Sequence, residues 1–372
     1  MYRKTWMEVN LDSIIENVRK IKNICGKKFI AVLKADAYGC GDMHVADAVL
    51  EAGADMLAVS SLDEALILRN EGYTGKILIL GATDPKDVNI LVKEGISTAA
   101  YSMNWVESVI QNDCEGLQVH LKVDTGMNRI GFKDNETLKE AFNLLKEHGC
   151  VMEGIFTHFC CADTDRDLTD LQYERFSSAV KSLDYDFEWI HCDNSDATIF
   201  FKDPLSNACR VGISLYGVCT YEKTLKYPIS LYSEIFMTKT IQKGETVGYG
   251  ATYTAEEEQW IGTMPIGYAD GFIRMNQGRN VYVDGELCPI VGRVCMDQSM
   301  IRLNHDVPVG TKVEIFGPHI SLEDMANDLR TIPYEIICLI SPRVTRTYIY
   351  HGKQLDEENT RLIKSQAVSA DR

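Results

Sequence analysis

The sequence predicts an α/β protein, with an N-terminal (β/α)8 barrel of the TIM type over residues 1–225 and a mainly β domain over residues 226–372. Two features of the chain indicate this division. From residue 28 to about residue 220, short β-branched runs alternate with segments of helical periodicity. After about residue 225, the segments become strand-like and are bounded by Gly and Pro. Eight strand–helix units are what a closed barrel requires, and a doubly wound sheet rarely reaches that number without a break.

Short aliphatic runs are the predicted barrel strands, because continuous apolar segments are typical of parallel strands buried on both faces. The predicted strands cover residues 29–33, 56–60, 76–80, 97–101, 119–123, 154–158, 188–191 and 208–215. Helices are predicted at residues 62–70, 85–93, 136–147 and 168–183, where apolar residues recur with helical spacing. A further helix at residues 11–22 precedes the first barrel strand, with Asn10 or Asp12 as its cap.

The C-terminal region is predicted to be a separate β domain with few helices. Its strands are expected at residues 232–240, 259–265, 281–283, 290–294 and 312–316. Asp284-Gly285 stands between two of these strands and is the signal of a tight β-hairpin turn. One helix is expected at residues 321–329, capped by Ser321, with Asp324 three residues further on.

Composition limits the classes of function. The net charge of −16 argues against nucleic acid as a partner, because phosphate binding needs a basic face. No apolar run approaches the ~20 residues of a membrane helix, so we expect a soluble, cytoplasmic chain with no membrane segment. The cytoplasmic domain of a membrane-anchored protein would show the same pattern. The 12 cysteines include no Cys-x-x-Cys pair, which favours reduced thiols and no structural metal site.

The first barrel strand is followed at once by Lys34. The C-terminal ends of barrel strands are where such folds place their active sites. A partly desolvated amine at that position has a lowered pKa and can act as a nucleophile or a base. A lone lysine there is more often a rim residue, so this interpretation depends on the residues at the ends of the other strands.

Polar residues stand at the ends of several other strands and point to the same mouth of the predicted barrel: Lys122, His158, Asn194, Ser195 and Arg210. Gly212 and Ile213 come after the eighth strand, close to the usual phosphate-binding corner of such barrels. A phosphate site opposite a Schiff-base lysine suggests pyridoxal phosphate (PLP). Phosphosugar aldolases combine the same three features, so this alternative stays open on these residues alone.

Longer motifs resemble the alanine racemase family in order along nearly the whole chain. The barrel contributes Ala-Val-Leu-Lys-Ala-Asp-Ala-Tyr-Gly at residues 31–39, Lys-Val-Asp-Thr-Gly-Met-Asn-Arg at 122–129, Thr-His-Phe at 157–159 and Arg-Val-Gly-Ile at 210–213. The β domain contributes Gly-Tyr-Gly-Ala at 248–251, Gly-Tyr-Ala-Asp-Gly at 267–271 and Val-Gly-Arg-Val-Cys-Met-Asp-Gln at 291–298. The resemblance implies a barrel and a β domain that work as a head-to-tail homodimer with shared active sites.

The resemblance also implies the roles of the two catalytic residues. Lys34 would hold PLP as an internal aldimine and, once freed, act as one base. Tyr249 of the partner subunit would be the second base, on the opposite face of the substrate α-carbon. His158 would be the neighbour that makes this phenol usable as a base, since a phenol with a pKa of ~10 is otherwise a poor one.

The remaining cofactor and substrate contacts are implied by the same resemblance. Arg210 would face the pyridine nitrogen and leave it largely unprotonated, because a guanidinium does not readily give up a proton. Arg129 and Met296 would bind the substrate carboxylate, Arg129 also contacting the cofactor, and Lys122 would be the position that is often carbamylated. The remaining predicted contacts are the phosphate-binding or cofactor-binding residues Tyr38, Asn194, Ser195, Gly212 and Ile213, and the substrate-channel residues Tyr268 and Asp297.

Two departures from the family pattern concern the substrate. Pro342 stands where many alanine racemases have a tyrosine that binds the cofactor phosphate, and Cys40 stands where a histidine is common. We therefore expect a racemase of alanine, of serine, or of both, supplying a D-amino acid for peptidoglycan. A membrane-anchored serine/alanine racemase of vancomycin resistance and, less favoured because of Arg210, a PLP decarboxylase of the same fold are the alternatives.

Overall fold

The computed structural model describes residues 2–359, which divide into two compact units. The β unit contains the N-terminal residues up to Asp12, the segment Tyr38–Gly41 and the residues from Tyr227 on. The barrel unit contains Ser13–Ala37 and Asp42–Lys226. The N-terminal residues and the segment Tyr38–Gly41, which were predicted to lie in the barrel domain, are therefore grouped with the β strands. The first strand of the chain, β1 (Thr5–Asn10), belongs to the β unit.

The barrel unit is a closed barrel of eight parallel strands, which confirms the predicted fold class. The strands are β2 (Lys28–Val32), β3 (Met56–Val59), β4 (Ile77–Ile79), β5 (Ile96–Ala100), β6 (Gln118–Lys122), β7 (Val151–Phe156), β8 (Trp189–His191) and β9 (Ala208–Val211). β9 pairs with β2 and closes the ring. Almost every strand residue is buried, as the continuous apolar runs predicted. Each of the eight runs overlaps an observed strand.

Helices connect the barrel strands, and most begin at a side-chain cap. They are α1 (Leu11–Cys25), α2 (Lys34–Gly39), α3 (Asp42–Glu51), α4 (Leu62–Asn70), α5 (Val88–Lys93), α6 (Met103–Val109), α7 (Asn135–Glu147), α8 (Arg166–Leu183) and α9 (Ser195–Phe200), with short 3₁₀ turns at Pro85–Asp87 and Ile213–Tyr216. Ser61, Ser102, Asp134 and Asp165 each accept a backbone N–H of the helix that follows. Such caps satisfy donors that have no partner within the helix.

The β unit is built around a ten-stranded sheet in the order β11-β14-β17-β16-β15-β18-β10-β1-β19-β20. Its strands after β1 are β10 (Ile229–Glu234), β11 (Met237–Ile241), β14 (Gln259–Met264), β15 (Asn280–Val283), β16 (Glu286–Val291), β17 (Ser299–Leu303), β18 (Lys312–Phe316), β19 (Thr345–Tyr350) and β20 (Lys353–Glu358). A separate pair is formed by β12 (Thr246–Val247) and β13 (Tyr253–Thr254), and two helices complete the unit, α10 (Leu322–Leu329) and α11 (Pro333–Leu339).

Two predicted features of the β unit have opposite outcomes. The hairpin at Asp284-Gly285 is confirmed, because both residues have positive φ (48° and 89°) and join β15 to β16. The single strand predicted at residues 232–240 was wrong, since the segment forms β10 and β11, which pair with different neighbours. Within residues 2–359, no helix combines the length and hydropathy needed to cross a membrane.

The turn that begins at Lys34 has an unusual backbone. Four successive non-glycine residues, Ala35 to Tyr38, have φ between 49° and 60°, and Gly39 continues with φ 80°. This is a left-handed helical turn, which costs L-residues roughly 1–2 kcal/mol each. Such strain persists only where surrounding contacts hold it, and it concentrates at functional sites.

Contacts within the barrel unit hold the start of this turn. The Glu64 carboxylate accepts the N–H of Ala35 at 2.8 Å and, through its other oxygen, the N–H of Ser60 at 2.7 Å. The Tyr216 hydroxyl donates to the carbonyl of Ala37 at 2.6 Å. Because Glu64 is fixed at the start of α4, it ties the strained turn to the end of the neighbouring strand β3.

We predict that Glu64→Ala lowers the free energy of unfolding by about 1–2 kcal/mol, because two backbone donors lose their acceptor. Glu64→Gln retains one acceptor oxygen and should lose less. Denaturant titration of the two variants measures this order. Asp63→Asn, a change at an exposed position in the same helical turn, is the control. An Ala variant as stable as the original chain would contradict the role given to this carboxylate.

Candidate active site

The residues predicted from the barrel strand ends lie at one end of the barrel. Lys34 stands just beyond β2 with an exposed side chain, and Lys122 is the last residue of β6. His158 lies two residues beyond β7 rather than within it, and Arg210 is the third residue of β9. The strand ends therefore bring two lysines, an arginine and a histidine to the same mouth.

These cations act together on His158. Burial is the main cause that lowers the pKa of this imidazole well below its usual value, and the charges of Arg210, Lys122, Arg129 and Lys34 follow in that order. The Arg210 Nη2 lies 3.2 Å from His158 Nδ1. Because arginine can only donate, Nδ1 is the acceptor and the neutral ring carries its proton on Nε2. The mouth is thus strongly electropositive in a chain of net charge −16.

Arg210 is buried, and its guanidinium donates to neutral acceptors in β8 and just beyond the end of β7. Nη1 bonds His191 Nδ1 and the His191 carbonyl, both at 2.9 Å, and Nη2 bonds the Thr157 carbonyl at 2.7 Å. Burial lowers the pKa of Arg210 to about 10, which still leaves the group charged at neutral pH. Among residues 2–359, no carboxylate forms an ion pair with it.

A chain of hydrogen bonds leads from Arg210 through the inside of the barrel. Because Arg210 donates to His191 Nδ1, the proton of His191 is on Nε2, which contacts His120 Nδ1 at 2.9 Å. His120 in turn has its proton on Nε2, which contacts Glu153 Oε2 at 3.0 Å. Burial lowers the pKa of both histidines, so both are neutral, as this direction of donation requires. We call Arg210, His191, His120 and Glu153 the barrel relay.

Glu153 is the anionic end of the barrel relay. Burial alone would raise the pKa of its carboxyl, but hydrogen bonds from His120, Lys76 and Ser97 lower it to about 2. Lys76 also forms an ion pair with it. None of His120, Glu153 and His191 was predicted from the sequence. The sequence does hold one indication of the relay in β6. His120 and Lys122 are two residues apart, so both side chains point to the same face of the strand.

Lys122 is buried, and its amine contacts uncharged groups. Its Nζ donates to the Val123 carbonyl at 2.9 Å and lies 5.2 Å from the centre of the Phe156 ring. Burial, reinforced by the charges of Arg210 and Arg129 and opposed by Asp124, lowers the pKa of the amine to about 7. A large fraction of Lys122 is therefore neutral at physiological pH.

Arg129 lies on a loop that the preceding strand holds in place. The Asp124 carboxylate accepts the N–H of Gly126 at 3.1 Å and of Asn128 at 2.9 Å. The backbone of Phe132 returns to bond both Lys122 and Asp124. Arg129 is exposed between these anchors, so its guanidinium is available to a ligand at the mouth.

The corner predicted to bind phosphate is formed by the ends of β8 and β9. The Gly212 N–H donates to Ser195 Oγ at 3.1 Å, which brings the two predicted residues together. Ile213 is buried and begins the 3₁₀ turn that follows. The side-chain oxygen Oδ1 of Asn194 caps α9 by accepting the N–H of Ala197. Its side-chain nitrogen Nδ2 donates to the Phe159 carbonyl at 3.3 Å. Both ends of the Asn194 amide are therefore engaged within the barrel.

The β unit holds the other predicted residues. Tyr249 is 71% exposed and borders a pocket of about 610 Å³ that Asp297 also lines. The N–H of Tyr268 donates to the Cys295 carbonyl, and the N–H of Ala269 donates to the Met296 carbonyl, both at 3.0 Å. These bonds place Tyr268 and Met296 on adjoining segments.

Tyr38, from the left-handed turn, is buried in the β unit with its ring centre 6.1 Å from that of Tyr334. Burial raises the pKa of its phenol. Pro342 is exposed in the turn before β19, and Cys40 is buried.

Comparison with known proteins agrees over both regions. The chain matches the family "Alanine racemase, N-terminal domain" over residues 9–220 and "Alanine racemase, C-terminal domain" over residues 228–348. Alanine racemase of Geobacillus stearothermophilus is 44% identical over 375 residues, covering 96% of this chain and 97% of its own length. The crystal structure of Bacillus anthracis alanine racemase with bound L-Ala-P has a TM-score of 0.94 at 38% identity, covering 98% and 99%. Histidine racemase from Leuconostoc mesenteroides subsp. sake has a TM-score of 0.88 at 30% identity, covering 94% and 99%.

The lowered pKa of Lys122 predicts a pH dependence of stability. Between pH ~7 and the ordinary lysine pKa of 10.5, the unfolded chain binds one more proton at this residue than the folded chain. The free energy of unfolding should therefore rise with pH in this window, by at most about 1.4 kcal/mol per pH unit. Lys122→Met lacks this contribution. Denaturant titration of both proteins at pH 7 and pH 9 in CO2-free buffer should show the original chain gaining stability relative to the variant. A constant difference would contradict the depressed pKa.

Proposed function

The chain belongs to the alanine racemase family, and we propose that it interconverts L- and D-alanine with PLP held at the barrel mouth and with Lys34 and Tyr249 as opposed bases. The observation that carries the site assignment is the convergence of Lys34, Lys122, Arg129 and Arg210 on His158. Three cations and a partly neutral lysine at one mouth are costly to bring together unless the ligand is anionic.

The donor set fits PLP and an amino acid. The phosphate and the phenolic oxygen of PLP and the carboxylate of the substrate would supply negative charge to balance the cations of the mouth. Ser195 and Gly212 offer a hydroxyl and a close backbone approach at the corner where barrels commonly bind phosphate. Arg210 presents a positive group at a place where a carboxylate would instead favour a protonated pyridine nitrogen.

When bound, PLP acidifies the bond between the substrate α-carbon and its hydrogen. The Lys34 amine takes or returns a proton on one face of that carbon. The Tyr249 hydroxyl of a second copy of the chain does the same on the other face. Two bases are needed, because a proton removed from one face must be replaced from the other for the configuration to invert.

His158 supports the tyrosine in this proposal. Its ring is neutral, with Nδ1 accepting from Arg210, so Nε2–H is the donor left to face the mouth. A hydrogen bond from Nε2–H to the Tyr249 oxygen of a second copy of the chain would stabilise the negative charge that forms there when the phenol gives up its proton.

Arg129 and Lys122 orient the substrate. The exposed guanidinium of Arg129 suits a carboxylate, and we propose that the Met296 backbone of the partner subunit assists it. Neutral Lys122 can react with CO2, because the free amine rather than the ammonium is the nucleophile. The carbamate would place an anion between Arg129 and Arg210 and orient the former. Tyr268 and Asp297 of the partner subunit would line the channel to the site.

We propose a homodimer because of the position of Tyr249, the second base. Tyr249 belongs to the β unit, is 71% exposed and borders a pocket of about 610 Å³. Exposed catalytic groups need a partner surface to exclude water from the reaction. A second copy of the chain would supply that surface and receive Tyr249 at its own barrel mouth.

Substrate preference is the open part of this proposal. Pro342 has neither a side-chain donor nor an N–H, so it cannot replace a phosphate-binding tyrosine. A hydroxymethyl group differs from methyl by one polar atom, which an apolar pocket discriminates weakly. We propose alanine as the main substrate with serine as a second one. Histidine racemase, at 30% identity, shows that a neighbour of this fold is named for a different amino acid.

Mixed dimers test the shared site. Lys34→Ala and Tyr249→Phe should each be inactive in racemisation. Unfolding and refolding them together should restore about a quarter of the wild-type sites, because half of the dimers are mixed and half of their sites combine two intact bases. Chiral analysis of product from L-alanine measures this.

Each variant refolded alone is the control for the mixing experiment. If both bases came from the same chain, no mixed dimer would contain an intact site. Activity that stays at the level of the separate variants would therefore exclude a tyrosine supplied by the partner. The Lys34→Ala protein should also lack the absorbance near 420 nm expected of a PLP Schiff base.

The proposed substrate range predicts measurable turnover of both amino acids. We expect kcat/KM for L-serine to lie within about 200-fold of that for L-alanine, the range in which a pocket separates substrates by one small group. Chiral product analysis with the two substrates in parallel gives this ratio. A preference for alanine of a thousand-fold or more would remove serine from the proposal, and release of CO2 would indicate a decarboxylase instead.

A further inference from the structure

Two cysteines lie close together at the end of the barrel where the strands begin. Cys25 is the last residue of α1, and Cys209 is the second residue of β9. Their sulfur atoms are 3.7 Å apart. Cys209 directly precedes Arg210 in β9, and because successive side chains of a strand point to opposite faces, the thiol pair lies on the other face of β9 from the Arg210 side chain.

The two thiols differ in access. Cys25 is half-buried and lines a surface pocket of about 470 Å³ together with Lys27, Lys202 and Thr198. Cys209 is completely buried. A small solute can therefore reach the sulfur of Cys25, whereas Cys209 is shielded from solvent.

The surroundings also favour a thiolate at Cys25. Its hydrogen bond with Cys209 is the main cause that lowers the pKa of Cys25 to about 6, and Lys27 adds a backbone N–H and a positive charge. Burial and the charge of Asp193 act in the opposite direction. Lys27 is held in place, because its Nζ bonds Asp193 at 2.7 Å and Asp203 at 2.5 Å. A fixed cation beside a half-exposed sulfur is the setting in which cysteines react with oxidants.

We propose that Cys25 and Cys209 form a peroxide-reactive thiol pair that closes an intramolecular disulfide within the barrel. The Cys25 sulfur attacks one oxygen of hydrogen peroxide, so an S–O bond forms, the O–O bond breaks and the leaving hydroxide takes up a proton as water. The Cys209 sulfur then attacks the Cys25 sulfur. An S–S bond forms, the S–O bond breaks, and the second hydroxide leaves as water with the proton of the Cys209 thiol. Two thiols and one peroxide thus give one disulfide and two waters.

Oxidation followed by mass spectrometry tests this pair. The holoenzyme is treated with equimolar hydrogen peroxide, alkylated, denatured without reductant and digested with trypsin. We expect residues 23–27 and 203–210 to appear as one linked species about 2 Da lighter than the two free peptides together, and dithiothreitol to separate them. The work is done on a Cys160→Ser, Cys161→Ser background, because those two sulfurs lie 3.3 Å apart in a more exposed segment.

Single variants separate the two steps. Cys25→Ser should lose the linked species and leave Cys209 unoxidised. Cys209→Ser should lose it as well, but leave Cys25 as a sulfenic acid that dimedone labels. Oxidation of the parent that takes Cys25 to sulfinic acid with Cys209 still free would overturn the proposal, as would a linked species that persists in either variant. If a variant fails to fold, the linked peptides of the parent decide the question alone.

A stability measurement gives a second readout. The disulfide would join residues 184 positions apart in the chain. Because cross-links stabilise mainly by restricting the unfolded chain, the oxidised barrel should unfold at a higher denaturant concentration than the reduced one. The shift should be absent in Cys25→Ser, which cannot form the disulfide, and a shift of the same size in that variant would overturn its assignment to this pair.

Discussion

The barrel relay is the interaction on which the organisation of the site depends. Arg210 is a buried cation whose hydrogen bonds go to neutral acceptors, and its nearest linked anion is Glu153, two imidazoles away. A carboxylate directly beside Arg210 would neutralise it and would change what it offers to a bound ring. By placing the anion at the far end of two neutral histidines, the barrel keeps the guanidinium in position and leaves its charge available at the mouth.

The same arrangement explains the protonation states of the neighbouring groups. Burial is the main cause that lowers the pKa of both His158 and Lys122, and the charge of Arg210 is the next largest cause at each. His158 is consequently a neutral donor, and Lys122 is a largely neutral amine. The buried charge of Arg210, held by the strand β9, thus reinforces the effect of burial on two neighbouring groups of the barrel mouth.

The sequence was sufficient to predict the barrel and the polar residues near its strand ends, because an aliphatic run with Lys34, Lys122 or Arg210 at or near its end is a local pattern. It was not sufficient to predict features that depend on contacts with residues far away in the chain. β1 was missed, although Thr-Trp-Met-Glu-Val-Asn alternates, because its partners lie more than 200 residues away. The left-handed turn runs against the preference of Ala35 and Ala37, and distant partners such as Glu64 and Tyr216 help to explain why it persists. His120 and Glu153 lie in strands where most residues are apolar. Their hydrogen-bonded connection to Arg210 could therefore be recognised only in the three-dimensional structure.

The position of β1 has a consequence for biosynthesis. β1 lies between β10, with which it pairs antiparallel, and β19, with which it pairs parallel. The ribosome therefore releases the first strand long before either neighbour exists, and β19 follows only after residue 344. Meanwhile the eight-stranded ring, made from residues 28–211, can close. The nascent chain therefore carries an unpaired, half-apolar strand throughout that interval, and this strand is open to non-native pairing until its neighbours are made.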